Sequence, residues 1–171
     1  MALKLNYQKG HRLRMFSGPN GSGKSTIYHQ IKEKYDLGIY LNADDLEKEL
    51  KINRFIDLST FGFNSLEKNE LIDFINNHTL THKAKKEGFN INFEFYENKI
   101  VDSGKKSNSY SAALIIDFIR QKLLNEGKKI SFETVMSHSS KIDILKKAQN
   151  LGYKNYLYFI STNSPQPLSN V

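Results

Sequence analysis

The sequence predicts an α/β fold with a mostly parallel sheet and helices on both faces. Short apolar runs that indicate strands alternate with segments of helical periodicity towards both ends of the chain. The middle, about residues 52–110, breaks this alternation, and we interpret it as an insert of helices and a β-hairpin. All 171 residues are expected to form one domain, long enough to bury a sizeable core.

The first predicted elements flank a glycine-rich turn. An apolar run at residues 13–16 predicts a buried strand that ends at Ser17, and residues 25–35 have the spacing of a helix with one apolar face. Residues 39–41 then predict a second short buried strand. The strand–turn–helix order is the context in which a glycine-rich turn binds phosphate.

In the insert, Asn64 or Ser65 is expected to cap a helix that carries Leu66, Ile72 and Ile75 inward and runs toward Gly88. Residues 91–101 alternate apolar and polar side chains around Glu97-Asn98, which is typical of a β-hairpin.

After a polar loop at residues 102–110, the chain returns to α/β alternation. We expect a helix over residues 111–127 and a strand over residues 129–132 that leads into Glu133. A helix capped by Ser139 or Ser140 and a strand at residues 156–160 follow.

The amino-acid composition excludes some kinds of site and favours some kinds of partner. The chain has no cysteine, so disulfides and cysteine-based metal sites are excluded, and we expect a cytoplasmic location. No apolar run approaches the length of a membrane span, and no membrane partner is expected. The formal charge of +7 favours polyanionic partners, although a well-solvated lysine-rich surface would explain it equally well.

The segment from Gly18 to Ser25 fits G-x-x-x-x-G-K-[ST] at every defined position. Its glycines allow a tight turn whose N–H groups point at phosphate oxygens, and the following helix adds its positive dipole end. Lys24 would reach the β- and γ-phosphates, and Ser25 would ligate Mg²⁺. We therefore predict a P-loop NTPase fold, a three-layer α/β/α arrangement, that binds ATP and Mg²⁺ through Gly18, Pro19, Asn20, Gly21, Ser22, Gly23, Lys24, Ser25 and Thr26.

A kinase is favoured over a GTPase, because no Asn-Lys-x-Asp base-reading tetrapeptide occurs. A kinase needs a carboxylate near the γ-phosphate that accepts or orients the proton of the acceptor hydroxyl. Asp44 is the best candidate, since it follows the second strand at the predicted ligand edge of the sheet. The alternative is that Asp44 only caps the next helix, which would run to about Lys51; Asp45 competes for either role.

Four further residues are candidates for substrate or metal contacts. Glu133 could bind a water on Mg²⁺ or hold substrate hydroxyls, or it could be a plain surface residue. Thr134 follows it, and His138 is a weaker candidate. Arg120 could clamp a substrate phosphate bidentately, but a surface salt bridge explains it at least as well.

Four segments of the chain occur in a characteristic order: GPNGSGKSTI, YLNADDLEKEL, SYSAALIIDFIRQKLL and FETVMSHSSKIDILKKAQNLGYKNYLYFIST. Together they resemble the zeta toxin family of P-loop kinases, and its stand-alone bacterial branch most closely. The likeness covers both ends of the chain and the middle only loosely. It implies an adenylate-kinase-like fold, and phosphorylation of a sugar hydroxyl of UDP-N-acetylglucosamine by ATP. It also implies a small antitoxin protein as a possible partner.

The resemblance also implies residue roles. Lys24 would contact the γ-phosphate, Asp44 would be the general base, and Asn42, Glu133 and Thr134 would contact substrate or order the site. In the toxins one more residue separates the acid from the threonine, so the match at Glu133 and Thr134 is shifted by one position.

The C-terminal segment departs from the family pattern. Family members follow the last strand with an N-V-x-R-V-x-x-R type segment, whereas this chain reads STNSPQPLSNV and has no arginine after Arg120. An arginine at the transferring phosphate is worth about 10³–10⁵ in rate in comparable reactions. Lys141 or Lys154 would replace it only partly, because lysine lacks the planar fork. We therefore expect ATP·Mg²⁺ binding with slow transfer.

Two other hypotheses remain open at this point. The chain could be a catalytically weak ATP-binding remnant or regulator. It could also be a nucleic-acid kinase or binder in which the bases of the nucleic acid stack on Phe89, Phe93, Phe95 and Tyr96. The alternation of the hairpin favours these residues as a core face instead, and a nucleic-acid partner is not expected. The acceptor pocket is expected in the insert, where Asn64, Asn69, Asn76 and Asn77 suit sugar hydroxyls or a helix surface.

Overall fold

The computed structural model describes residues 10–64, 68–104, 108–135 and 140–161. The chain divides into two compact units. The first comprises Met1–Tyr40 and Leu124–Val171, and the second comprises Leu41–Leu123. The predicted insert at residues 52–110 falls within the second unit.

Seven strands, six α-helices and one short 3₁₀-helix occupy the described residues. In chain order they are β1 (Arg12–Ser17), α1 (Lys24–Lys32), β2 (Ile39–Leu41), α2 (Ala43–Asn53), β3 (Phe55–Asp57), the 3₁₀-helix (Leu58–Phe61), α3 (Lys68–Asn77), α4 (Thr79–Lys86), β4 (Phe93–Tyr96), β5 (Lys99–Asp102), α5 (Ser109–Asn125), β6 (Ile130–Thr134), α6 (Ser140–Asn150) and β7 (Lys154–Phe159).

A four-stranded parallel sheet forms the centre of the first unit, in the order β2-β6-β1-β7. This confirms the predicted α/β class with a parallel sheet. β1 lies between β6 and β7, and its residues from Leu13 to Ser17 are buried. Leu13, Met15 and Phe16 are fully buried because the neighbouring strands and both sheet faces exclude water there, and Arg14 is buried among them.

An aromatic cluster fills the face of the sheet on which α1 lies. Phe16 of β1 stacks on Tyr158 of β7 at 4.7 Å between ring centroids and meets Tyr28 of α1 edge-on at 5.7 Å. Tyr28 stacks in turn on Tyr40 of β2 at 3.8 Å. Leu37 completes the buried set. These contacts fix α1 against β1, and with it the loop that joins them.

The second unit carries an antiparallel sheet in the order β3-β5-β4. The predicted hairpin is confirmed as β4 and β5. Its turn residues Glu97 and Asn98 have φ values of 45° and 62°, the left-handed pair that a tight two-residue hairpin turn requires. Tyr96 is exposed, whereas Ile100 is fully buried.

Two predictions about helices are wrong. Neither Asp44 nor Asp45 caps α2; the side chain of Asn42 is the cap and accepts hydrogen bonds from both of their N–H groups. The single helix expected before Gly88 is two helices, because the chain leaves helical geometry at His78, whose ring caps α4 by accepting from Leu80 N–H.

One prediction about the inward face of α3 is also wrong, and several predicted residues lie outside the described part of the chain. In α3, Leu71 is the buried side chain and Ile72 is 38% exposed, so Ile72 does not face inward as expected. The proposed caps Ser65 and Ser139, and Leu66, lie outside the described residues. None of the helices in the described part of the chain has the length and apolar character needed to cross a bilayer.

Candidate nucleotide-binding site

The glycine-rich segment forms a tight loop between β1 and α1. Gly21 and Gly23 have φ values of 75° and 85°, which side chains rarely adopt, so glycine is required at both. Ser22 N–H donates to the carbonyl oxygen of Pro19 at 3.2 Å, and this bond closes the turn. The positive-φ glycines and this bond give the compact winding that the motif predicts.

Gly18 anchors the start of the loop to the ends of both neighbouring strands. Its N–H donates to the carbonyl oxygen of Thr134 in β6 at 3.3 Å, and Ile160 N–H, just past β7, donates to Ser17 at 2.7 Å. A Cβ on Gly18 would lie 2.2 Å from the carbonyl oxygen of Ile160, so no larger residue fits. The loop therefore starts from a fixed point at the sheet's carboxyl edge.

Lys24 points into the loop. Its ammonium group donates to the carbonyl oxygens of Gly18 at 3.0 Å and Pro19 at 2.8 Å, and the residue is only 9% exposed. Ser25 and Thr26 follow it in the first turn of α1, with exposed side chains. A positive charge, a helix N-terminus and two hydroxyl groups thus converge at one end of the loop, an arrangement suited to anions.

Two buried hydroxyl groups at the loop lack partners. Within the described residues, no hydrogen-bond partner is present for Ser17 Oγ or for Ser22 Oγ. A buried polar group without a partner costs about 1–3 kcal/mol.

The order of the strands places a ligand crevice beside this loop. The crossover through α1 runs from β1 outward to β2, and the crossover through α6 runs from β6 across β1 to β7. Parallel crossovers are right-handed, so these opposite directions put α1 and α6 on opposite faces of the sheet. Ligands of such sheets bind where the direction switches, here between the carboxyl ends of β1 and β6.

Glu133 and Thr134 end β6 at this crevice. In the sheet register Phe16 lies beside Glu133, and Ser17 lies beside Thr134. Because register partners in a parallel sheet share a face, Glu133 lies on the face of Phe16 and α1, and Thr134 lies on the opposite face. Both residues belong to the strand itself, one and two residues beyond the predicted strand end.

Tyr40 is a residue beside the candidate site that sequence reasoning did not select. Its hydroxyl donates a hydrogen bond to Glu133 Oε1, between neighbouring strands β2 and β6. From the sequence, an aromatic residue in a short apolar run is interpreted as part of the hydrophobic core. Its contact with Glu133 depends on the pairing of two strands that are far apart in the sequence, so the local pattern does not predict it.

Asp44 and Asn42 belong to the second unit. Asp44 and Asp45 are both exposed in the first turn of α2, where negative charge suits the helix dipole. Since Asn42 supplies the cap, the carboxylate of Asp44 is not needed for that purpose. The role of Asp44 as a base remains a prediction.

Arg120 lies in the interior of the second unit and pairs with a carboxylate. Its guanidinium donates to Asp117 Oδ1 at 3.3 Å, and the residue is 8% exposed. Asp117 also contacts His78 Nε2 at 2.9 Å and accepts from Gln121 at 3.1 Å. Burial lowers the pKa of the Arg120 guanidinium, and the nearby Asp117 charge opposes that shift. The salt bridge considered from the sequence is therefore present, with Arg120 buried and Asp117 partly exposed.

The described residues contain no group of three or more histidine, cysteine, aspartate or glutamate side chains that could hold a metal ion. Mg²⁺ in nucleotide sites needs only one or two protein ligands, because phosphates and water supply the rest. The Ser25 hydroxyl on α1 and the Glu133 carboxylate beside β1 fit that requirement.

The remaining candidates are of less consequence. His138 lies outside the described residues, and the ammonium of Lys154 lies 5.5 Å from the ring centroid of Tyr156.

Comparison of the chain with protein-family models and with curated proteins gives no match.

Proposed function

We propose that this protein binds ATP with Mg²⁺ through residues 18–26 and acts as a small-molecule kinase. The observation that carries the proposal is the loop itself, whose positive-φ glycines hold the Lys24 ammonium inside a turn that opens a helix. The exposed hydroxyl groups of Ser25 and Thr26 add further donors in the first turn of that helix. Phosphate oxygens would accept hydrogen bonds from the loop N–H groups and from Lys24.

The distribution of charge supports a polyanionic ligand in the first unit. The excess of lysine and arginine lies almost wholly in the unit that carries the loop, whereas acidic and basic residues nearly balance in the second unit. This argues against the alternative in which hairpin aromatics of the second unit bind nucleic acid, since such binding needs a basic surface around the stacking rings.

For the acceptor, we propose a hydroxyl group of UDP-N-acetylglucosamine or a similar sugar nucleotide. The support is the resemblance of the quoted segments to zeta toxins, and in particular the Asn42-Ala43-Asp44 and Phe132-Glu133-Thr134 groups. Asn42, Thr134 and Arg120 are proposed to contact this substrate. The burial of Arg120 and its pairing with Asp117 favour a structural role for this residue, so the support for its contact with substrate is the sequence alone.

In the proposed reaction, the acceptor hydroxyl attacks the γ-phosphorus of ATP. The new bond forms between that oxygen and phosphorus, the bond to the β-γ bridging oxygen breaks, and ADP leaves. Asp44 accepts the hydroxyl proton, and Lys24 balances negative charge on the transferring phosphoryl group. Mg²⁺, when bound with ATP, neutralises phosphate charge; Ser25 would ligate it and Glu133 would bind one of its waters.

The experiment that tests the proposal has two steps. ATP binding in the presence of Mg²⁺ is measured by calorimetry, and transfer of labelled γ-phosphate to UDP-N-acetylglucosamine is then followed by chromatography. Binding with transfer supports the kinase. Binding without transfer to this acceptor contradicts the proposed substrate and favours a weak ATP-binding regulator, and absence of binding contradicts the whole proposal.

A further inference from the structure

Tyr40 and Glu133 form a pair next to the loop that no sequence motif describes. Tyr40 O–H donates to Glu133 Oε1 from the adjacent strand, and both side chains are half-buried. The hydrogen bond occupies one oxygen of the carboxylate and leaves Oε2 for another contact.

The ring of Tyr40 is itself held in place. It stacks on Tyr28 with 16° between the ring planes, and Tyr28 meets Phe16 edge-on. Tyr28 belongs to α1, the helix whose first turn carries Lys24 and Ser25. The orientation of Glu133 is therefore tied, through two stacked rings, to the same helix that forms one side of the loop.

We propose that Tyr40 is a positioning residue that orients the Glu133 carboxylate toward the Mg²⁺ that accompanies ATP. The inference rests on the proposed function. Tyr40 touches neither metal nor nucleotide in this account; its hydroxyl fixes Glu133, and Glu133 binds the metal's water. Partners of this outer kind commonly change metal affinity by about 10–100-fold when they are removed.

The test uses Tyr40→Phe, which keeps the stacked ring and removes only the hydroxyl. The Mg²⁺ concentration that gives half-maximal ATP binding is measured by calorimetry, so the readout is independent of turnover. We expect this concentration to rise about tenfold. Tyr158→Phe is the matched control, because Tyr158 stacks on Phe16 in the same cluster from the other side, and its Mg²⁺ dependence is expected to equal that of the wild type.

A double variant separates positioning from a general structural role. If Tyr40 acts through Glu133, adding Tyr40→Phe to Glu133→Gln will change the Mg²⁺ dependence no further. An unchanged Mg²⁺ dependence in Tyr40→Phe overturns the inference. The inference is also overturned if Tyr40→Phe raises the required Mg²⁺ concentration equally in the wild-type and the Glu133→Gln backgrounds. Neither of these outcomes affects ATP binding by the wild type, so they are distinct from failure of the proposed function, in which the wild type binds no ATP.

Discussion

The N–H of Gly18 donates a hydrogen bond to the carbonyl oxygen of Thr134 at 3.3 Å. This bond joins the first residue of the glycine-rich loop to the last residue of β6, so the loop and the Glu133-Thr134 group lie at the same edge of the parallel sheet. The sequence predicts a phosphate-binding role for the loop and, independently, a metal or substrate contact for Glu133 and Thr134. This hydrogen bond explains why the two segments are adjacent.

Lys24→Ala is expected to weaken ATP binding about ten- to hundredfold, because it removes charged hydrogen bonds worth about 1.5–3 kcal/mol. Calorimetry with ATP·Mg²⁺ measures the loss. Lys32→Ala is the control, since Lys32 ends the same helix and its removal changes the net charge equally. Equal losses in both variants would show that bulk charge, and not the loop, binds ATP.

Gly21→Ala is expected to impair ATP binding beyond its effect on stability. Gly21 and Gly88 have similar φ values of 75° and 80°, and an added Cβ at either meets nothing within 4 Å. Each alanine variant should lose about 1–2 kcal/mol of folding free energy from backbone strain. Only Gly21→Ala should also lose ATP affinity; if Gly88→Ala loses it equally, the loop has no special role.

Arg120→Met is expected to destabilise the protein by about 1–3 kcal/mol, because it removes a charged hydrogen bond from Asp117, which is partly exposed and keeps its contacts with His78 and Gln121. Urea unfolding measures the change. Lys122→Met on the same helix removes an ion pair with Glu70, whose side chain is 43% exposed, and should cost no more than about 1 kcal/mol. Similar stabilities for the two variants would contradict a structural contribution from the Arg120–Asp117 pair.

Glu49→Gln is expected to raise the melting temperature at pH 7 by about 1–2 °C. Burial, and secondarily the charge of Asp57, raises the pKa of Glu49 in the folded protein. A raised carboxyl pKa means that ionisation destabilises the fold as pH rises above the unfolded value of about 4.3. The gain should therefore vanish below about pH 4, and a gain that persists there would refute this cause.

The strands and the loop of the first unit were predictable because their signals are local. The apolar run before Ser17 and the eight-residue motif each specify a conformation without reference to distant residues, and the structure has β1, the turn and α1 in that order. The strand β3 was not predictable, since its three residues gain strand geometry only by pairing with β5, over forty positions later.

The sequence alone also did not show which of several neighbouring polar residues caps a helix or forms a given hydrogen bond. Asparagine and aspartate cap helices about equally well, so nothing local selects Asn42 over Asp44. The break at His78 depends on its ring accepting from Leu80 N–H and contacting Asp117, and the second of these contacts spans 39 positions. The Tyr40–Glu133 bond depends likewise on strand order.

The kinase proposal is tested most directly by γ-phosphoryl transfer from ATP to UDP-N-acetylglucosamine in wild type, Asp44→Asn and Asp45→Asn. The two aspartates share an exposed helix turn and the same asparagine cap, so either change alters charge and capping alike. We predict transfer in the wild type and in Asp45→Asn, and at least a hundredfold loss in Asp44→Asn with ATP binding unchanged. Equal transfer by all three proteins would contradict Asp44 as the base, and no transfer by the wild type would contradict the proposed reaction.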